Sequence, residues 1–170
     1  ISQYVSYLAQ GKEKIHENPI VIRSESDEGV IEIAFQYIQS YQETMLSFVN
    51  NINTVEGGTH LTGFKGALTR TINAFAQNNQ LFKKDFKGPF SGEDVREGLT
   101  AVVSVRIREP QFEGQTKGKL GNSEVKGWVE SFVNEKLYEF FDENFSVAKG
   151  IIMKSLLAAQ AREASRRAKD

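Results

Sequence analysis

The sequence lacks cysteine altogether, and this absence excludes disulfide bonds and cysteine-ligated metal sites. It also lacks any apolar run long enough for a membrane span or for the core of a signal peptide. A net charge of -1 over 170 residues gives no overall basic surface, so any contact with nucleic acid must be a local patch. The remaining composition, with 39% hydrophobic residues, predicts a soluble, cytoplasmic chain that forms a single domain over residues 1–170.

The periodicity of apolar residues predicts an α+β fold. Alternating or β-branched segments indicate four strands, at residues 19–23, 30–38, 45–52 and 101–107. Spacing of three and four residues, together with end signals, indicates helices at residues 1–9, 59–76, 91–98, 122–143 and 147–169. We expect a small, mostly antiparallel sheet with the helices packed on one face, followed by a long C-terminal helix.

Several residues predict how the helices begin and which side they bury. Thr59, after two glycines, is expected to N-cap its helix, and Ser91 with Asp94 resembles a capping box. In the helix from residue 122, Phe140 is expected on the buried face with Val125, Val129, Phe132 and Leu137. The basic residues from Arg162 onward are expected to leave the core.

Residues 111–122 form the segment most informative about function. Three glycines are interspersed with Lys117 and Lys119 immediately before a helix. Glycine allows the backbone to approach a ligand closely, and a helix N-terminus offers free N–H groups, so the loop can hold an anion such as phosphate. A solvated loop with ordinary surface lysines explains the same residues. A P-loop is excluded because the glycine spacing is one residue too short and Leu120 stands where a metal-binding Ser or Thr is needed.

The same region carries a resemblance to a known family. FEGQTK at residues 112–117 and KLGNSEV at 119–125 resemble the Gln-Thr-Lys loop of type IIA DNA topoisomerases. NNINT at 50–54, EGGTH at 56–60 and DVREGLTAVVSV at 94–105 resemble two further motifs, and all stand in the family's order. Together they resemble the second, or transducer, domain of the bacterial gyrase B subunit and of its topoisomerase IV counterpart. The sequence GNSEV at residues 121–125 favours gyrase over topoisomerase IV.

The resemblance implies a fold and a mechanism. The fold is ribosomal-protein-like with a left-handed βαβ crossover, against the usual right-handed rule. The parent is an ATP-hydrolysing DNA topoisomerase, an isomerase, in which this domain couples ATP binding and hydrolysis to DNA strand passage and supercoiling. Lys117 then contacts the γ-phosphate, Gln115 joins that contact, and Thr116 completes the nucleotide-binding loop. A lysine that senses a terminal phosphate as a point charge converts hydrolysis into domain movement.

The resemblance also implies cofactors and partners. ATP and magnesium are bound mainly by an upstream domain of the same chain, whose motifs are absent here, so the isolated fragment is expected to be inactive. The parent is expected to be a homodimer assembled with a DNA-cleaving A subunit, without a membrane partner. Lys65 and Arg70 are candidate contacts to DNA phosphates, although a solvated helix face explains them almost equally well.

Other polar residues are interpreted as structural. His60 is expected to be a hydrogen-bonded core histidine rather than a base or a metal ligand, and no metal site is expected. Arg96 is expected to pair with a carboxylate, and Lys119 to be solvated. Two alternative functions are an autonomous nucleic-acid-binding module, disfavoured by the neutral charge and the lack of a stacking motif, and a small phosphotransferase, which needs its own nucleotide site.

Overall fold

A five-stranded mixed sheet lies at the centre of the structure, a computed structural model that describes residues 1–169. Asp170, the last residue of the predicted domain, lies outside the described residues. The strands are β1 (Ile20–Ser26), β2 (Gly29–Tyr37), β3 (Thr44–Val49), β4 (Ile52–Asn53) and β5 (Leu99–Arg106). Their order is β1-β2-β5-β3-β4, and every pairing is antiparallel except that of β3 with β5, which is parallel.

The sheet has one strand more than the sequence predicts, so the expectation of four strands is wrong. The segment predicted as a single strand divides at Asn50 and Asn51, which have φ angles of 50° and 69°. Two consecutive residues with positive φ form the tight turn of a two-residue hairpin, and asparagine tolerates this conformation better than most residues. The chain therefore folds back after Val49, and Ile52 pairs with Val49 at the start of β4.

Five helices accompany the sheet, close to their predicted positions. They are α1 (Ser2–Leu8), α2 (Thr59–Asn78), α3 (Gly92–Arg96), α4 (Ser123–Glu143) and α5 (Phe145–Lys169). The segment that contains α2 joins β3 to the parallel strand β5, which gives the expected βαβ crossover. That this crossover is left-handed stays a prediction. Within residues 1–169, none of these helices is long and apolar enough to cross a membrane.

The main core lies between one face of the sheet and helices α2, α4 and α5. Ile31 and Ile33 of β2 point into it, and α2 contributes a continuous stripe of Phe64, Leu68, Ile72 and Phe75. Each such side chain, fully buried, contributes about 1.5–3 kcal/mol. On α4, the predicted buried face is confirmed at Val125, Val129, Phe132 and Leu137. Only its last residue is wrong: Phe141 is fully buried and Phe140 only partly, because the apolar spacing continues from Leu137 by four residues.

Helix α1 lies on the opposite face, which corrects the expectation of helices on one face only. Val5 packs against Ala34 and Val102, two residues that are paired directly across β2 and β5. Because successive residues of a strand point to opposite faces, Ala34 faces away from the core residue Ile33. The sheet is therefore covered on both sides over its central strands.

The C-terminal helix stays attached to the domain further than predicted. The guanidinium of Arg162 donates two hydrogen bonds to the Asp94 carboxylate, at 3.1 and 2.9 Å. The same carboxylate accepts from the Ser91 backbone N–H at 2.9 Å, so the predicted capping box of α3 is confirmed. Asp94 is almost fully buried, and its charge is balanced by Arg162. Helix α5 is thus tied to α3 as far as Arg162.

Candidate functional site

The segment that joins β5 to α4 forms a narrow hairpin-like loop, here called the Lys117 loop (residues 111–121). At its base, the Gly121 N–H donates to the Gln111 carbonyl at 2.7 Å, and the Glu113 N–H donates to the Lys119 carbonyl at 2.9 Å. Residues 114–118 form the tip between these bonds. The structure brings the predicted site residues Gln115, Thr116 and Lys117 together at this tip, with their side chains exposed.

One side of the loop is held by the side chain of Asn122, the residue that precedes α4. Its Oδ1 accepts from the Gln111 N–H at 2.6 Å, and its Nδ2 donates to the Glu109 carbonyl at 3.2 Å. Nδ2 also donates to the Glu124 carboxylate at 2.9 Å, and this bond is the main cause that lowers the pKa of Glu124. The buried side-chain amide of Asn122 thus holds the chain at Glu109 and Gln111, where it enters the loop.

The other side of the loop rests on the start of α2, here called the seat (residues 57–60). The Leu120 N–H donates to the Gly57 carbonyl, and the Thr59 N–H donates to the Leu120 carbonyl, both at 3.1 Å. Nearby, the Glu56 N–H donates to the Gly118 carbonyl at 2.8 Å. Two of the sequence motifs, separated by about sixty residues, are therefore hydrogen-bonded to each other through their backbones.

The prediction that Thr59 is the N-cap of α2 is wrong. Gly58 occupies that position with φ of 135°, and no side chain caps the helix. The Thr59 N–H is one of the donors that the start of a helix leaves without an intrahelical partner, and the Leu120 carbonyl accepts from it. The adjacent glycines were the only sequence signal for this close contact, and they do not identify the partner.

The two lysines of the loop differ in their surroundings. The Lys119 ammonium lies 3.3 Å from the Glu113 carboxylate, across the base of the hairpin. No acidic side chain within residues 1–169 forms an ion pair with Lys117. Lys117 therefore presents an uncompensated positive charge at the tip, whereas the charge of Lys119 is partly balanced inside the loop.

The two candidate DNA contacts also differ. Arg70 forms an ion pair with Glu130 of α4, which Lys126 also approaches at 3.8 Å. In the part of the chain that the structure describes, Lys65 has no acidic partner. Of these two residues on α2, Lys65 is the one whose charge is available to a phosphate.

His60, the last residue of the seat, is buried, as the structural interpretation expects. Its Nε2 lies 3.1 Å from the Thr54 hydroxyl, which in turn lies 2.7 Å from the Ser47 hydroxyl. Burial lowers the pKa of His60 to about 4, so the ring is neutral at physiological pH. A neutral, enclosed imidazole of this kind supports neighbouring structure and has no access to a substrate.

Arg96 is paired within the domain. Its guanidinium donates to Glu43 at 2.7 Å, which confirms the expected pairing, and on the same surface Lys154 approaches Glu97 at 3.6 Å. Among residues 1–169, no group of three or more histidine or acidic side chains is arranged to hold a metal ion. The Lys117 loop brings together the residues that the sequence predicts to bind nucleotide, Gln115, Thr116 and Lys117.

A comparison with protein families identifies the chain. The family model described as DNA gyrase B matches residues 1–170. The chain belongs to the DNA gyrase B family. Among its relatives, a DNA gyrase B protein from Treponema denticola is 54% identical over 172 residues; the match takes in the whole of this chain but 27% of that protein. The chain thus spans about a quarter of the length of that relative.

Solved structures of the gyrase B family and its neighbours share the fold. The 43K ATPase domain of Thermus thermophilus gyrase B, in complex with an aminocoumarin, superposes with a TM-score of 0.91 at 43% identity. The match covers 99% of this chain and 45% of that one. The topoisomerase IV ATP-binding domain of Francisella tularensis, in complex with a small-molecule inhibitor, gives 0.80 at 30% identity, covering 95% and 43%. This gyrase B chain therefore corresponds to part of an ATPase region.

Proposed function

We propose that residues 1–170 form the transducer domain of a DNA gyrase B protein. In this role the Lys117 loop senses the γ-phosphate of ATP bound by an upstream domain of the same chain. The domain couples ATP binding and hydrolysis to DNA strand passage and supercoiling in the cytoplasm. Gyrase is preferred to topoisomerase IV because the family model described as DNA gyrase B matches residues 1–170 and the Treponema denticola gyrase relative is 54% identical.

The proposal rests on the observation that Lys117 has an unpaired charge within residues 1–169, although the backbone of its loop is held by hydrogen bonds. The Lys117 ammonium has no acidic partner within residues 1–169, while the backbone on both sides of the tip is hydrogen-bonded to Asn122 and to the seat. A phosphate contact needs an available cation held in a defined place. Gln115 and Thr116 add neutral donors beside it. This arrangement is typical of a site completed by a ligand from a neighbouring domain.

The cofactors and partners follow from this role. ATP and magnesium are held mainly by the upstream domain, and the charge of Lys117 supplies one contact to the terminal phosphate. Loss of that phosphate on hydrolysis removes the attraction and releases the loop. The seat lies at the start of α2, which also carries Lys65, so the helix that supports the Lys117 loop is the one that bears the proposed DNA contact. The parent enzyme is a homodimer of this chain assembled with the DNA-cleaving A subunit.

The proposal is tested by comparing Lys117→Ala with Lys119→Ala in the full-length parent. We expect Lys117→Ala to lower kcat for ATP hydrolysis about a hundredfold, because a cation aimed at developing phosphate charge is commonly worth several kcal/mol. Nucleotide affinity should change little, since the adenine and ribose contacts lie elsewhere. Lys119→Ala is the matched control and should hydrolyse ATP at nearly the normal rate. Equal losses in both variants, or none in Lys117→Ala, would contradict the assignment.

A further inference from the structure

We propose that Gly58 is a positioning residue for Lys117. It seats the backbone of Leu120 on the first turn of α2, and a buried chain of Ser47, Thr54 and His60 holds that turn against β3. The inference rests on the proposed γ-phosphate contact of Lys117. It assigns a role to the EGGTH motif at residues 56–60, which the phosphate contact alone leaves without one.

The approach of the two backbones at Gly58 leaves no room for a side chain. A Cβ built on Gly58 would lie 2.5 Å from both the backbone nitrogen and the backbone oxygen of Leu120. Those two atoms make the hydrogen bonds to Gly57 and Thr59, so they have no freedom to move aside without breaking them. Gly58 also has φ of 135°, a region that other residues rarely adopt. Any other residue at position 58 must therefore displace Leu120, three residues from Lys117.

Buried side chains attach the seat to β3. The Thr54 hydroxyl bridges Ser47 of β3, at 2.7 Å, and His60 of α2, at 3.1 Å. The backbone reinforces this link, because the Thr54 N–H donates to the Ser47 carbonyl at 2.8 Å. All three side chains are at most 2% exposed. The first turn of α2 is therefore held in register with the sheet, and Leu120 is held in register with that turn.

The seat supports only the side of the loop that returns to Leu120. Losing the contact with the seat should therefore loosen that side and not the other. Asn122 fixes the side that leads from β5, through bonds that do not involve the seat. Removing the seat is expected to free the tip and the segment that returns to Leu120, while the entry stays in place. Such a loop still carries Lys117, but the ammonium occupies many positions instead of one. Catalysis loses the benefit of a preorganised charge without losing the charge itself.

The position of the loop is measured by amide hydrogen exchange in the full-length parent without nucleotide. Gly58→Ala is expected to speed exchange in peptides covering residues 111–121 at least tenfold and to leave peptides of β2 and β5 unchanged. Thr54→Val, which removes the bridging hydroxyl at constant shape, is expected to act in the same direction more weakly, and it provides the test if Gly58→Ala fails to fold. Gly127→Ala on α4 is the matched control, because a Cβ there meets no atom within 4 Å.

The connection to Lys117 is measured by a double-mutant cycle on kcat for ATP hydrolysis. If Gly58 acts through Lys117, Gly58→Ala lowers kcat at least tenfold in the wild-type background and leaves the already low rate of Lys117→Ala unchanged. A general structural defect instead lowers kcat by the same factor in both backgrounds, and that result would overturn the inference.

Exchange also separates this inference from the proposed function. Unchanged protection of residues 111–121 in folded Gly58→Ala and Thr54→Val would overturn the positioning role, whatever the kinetics. If Lys117→Ala alone proved fully active while the loop lost protection in Gly58→Ala, the γ-phosphate contact would fail and the structural seat would stand.

Discussion

The tip of the Lys117 loop and the seat beneath it are built in opposite ways. At the tip, Gln115, Thr116 and Lys117 expose their polar side chains, and Lys117 has no acidic partner among residues 1–169. At the seat, Gly57 and Gly58 carry no side chains to expose, His60 is buried, and the backbone bonds run to Leu120. The chain thus keeps a free cation on a backbone that is fixed from two sides.

This difference makes Lys117, the proposed phosphate contact, both available to a ligand and fixed in position. When a ligand orders Lys117, the entropic cost falls mainly on the side chain, at about 0.5–1.5 kcal/mol, because the backbone is already fixed. A loop that had to order its backbone as well would lose about 1–2 kcal/mol for each residue. Substitutions at the tip should therefore impair activity and leave the loop backbone in place, whereas substitutions at the seat should release that backbone.

The largest effect is expected where the loop meets the seat. Leu120 is fully buried, and Leu120→Ala should lower the free energy of unfolding by about 3 kcal/mol, as large-to-small core changes do. Lys117→Ala should leave it within about 0.5 kcal/mol, since exposed positions rarely contribute more. Urea unfolding of the chain, followed by circular dichroism, measures both. Similar losses in the two variants would mean that tip and seat are one structural unit.

The pH dependence of stability probes the seat with a somewhat smaller effect. Burial lowers the pKa of His60 to about 4, against about 6.5 in an unfolded chain. As pH falls, the unfolded state binds the proton first, so this contribution is present above pH 6.5 and is lost between about pH 6.5 and 4. Between pH 7 and pH 5 the wild type should lose about 2 kcal/mol more than His60→Gln does.

Urea titrations at both pH values measure this difference. His16, whose pKa burial also lowers, is present in both proteins and cancels in the comparison. Parallel losses of stability in the wild type and His60→Gln would show that His60 accepts a proton in the folded state, and so that the seat is open to water.

A third prediction concerns the neutral donor at the tip. Gln115→Ala should lower kcat for ATP hydrolysis in the full-length parent about tenfold, less than Lys117→Ala, because a neutral hydrogen bond to a phosphate is weaker than one from a cation. The free energy of unfolding should not change. Steady-state kinetics and a urea titration on the same preparation provide the check. A loss of kcat as large as that of Lys117→Ala would move the main contact to Gln115.

The smallest effect is expected on α2. Lys65→Glu should reduce the slope of log affinity for duplex DNA against log salt concentration by about one, the value for one phosphate contact. Arg70→Glu should change the slope less, because Arg70 already pairs with Glu130. Binding of the full-length parent to DNA at several salt concentrations tests both. An equal or larger effect at Arg70 would show that the ion pair opens when DNA binds.

The local features of this fold could be predicted from the sequence. The strand β2, the apolar stripe of α2 and the capping box at Ser91 each depend on residues close together in the chain, and the structure confirms all three, although β2 is buried on both faces from Ile33 to Tyr37. The fifth strand was missed because the run of apolar residues continues past Asn50 and Asn51, although these two asparagines are a turn signal.

The contacts between distant residues could not be predicted. The sequence around Gly58 does not indicate that its backbone packs against Leu120. The sequence around Arg162 likewise does not indicate that its guanidinium binds Asp94. The position of α1 on the second face depends equally on tertiary packing, since Val5 meets Ala34 and Val102 only in the folded sheet. The resemblance of their motif identifies the tip residues, while the way in which they are held depends on bonds to residues about sixty positions away in the chain.

The attachment of α5 to the domain has a mechanical consequence. The helix is 25 residues long, or about 37 Å at 1.5 Å per residue, and its first two thirds are fixed by buried residues and by the bond from Arg162 to Asp94. A helix held in this way is a lever arm whose near end is clamped. If the domain turned by about 10° around the start of α5, the far end near Lys169 would travel about 6 Å, roughly the pitch of one helical turn. A small rotation of the domain would thus become, at the far end of the helix, a displacement on the scale of a whole side chain.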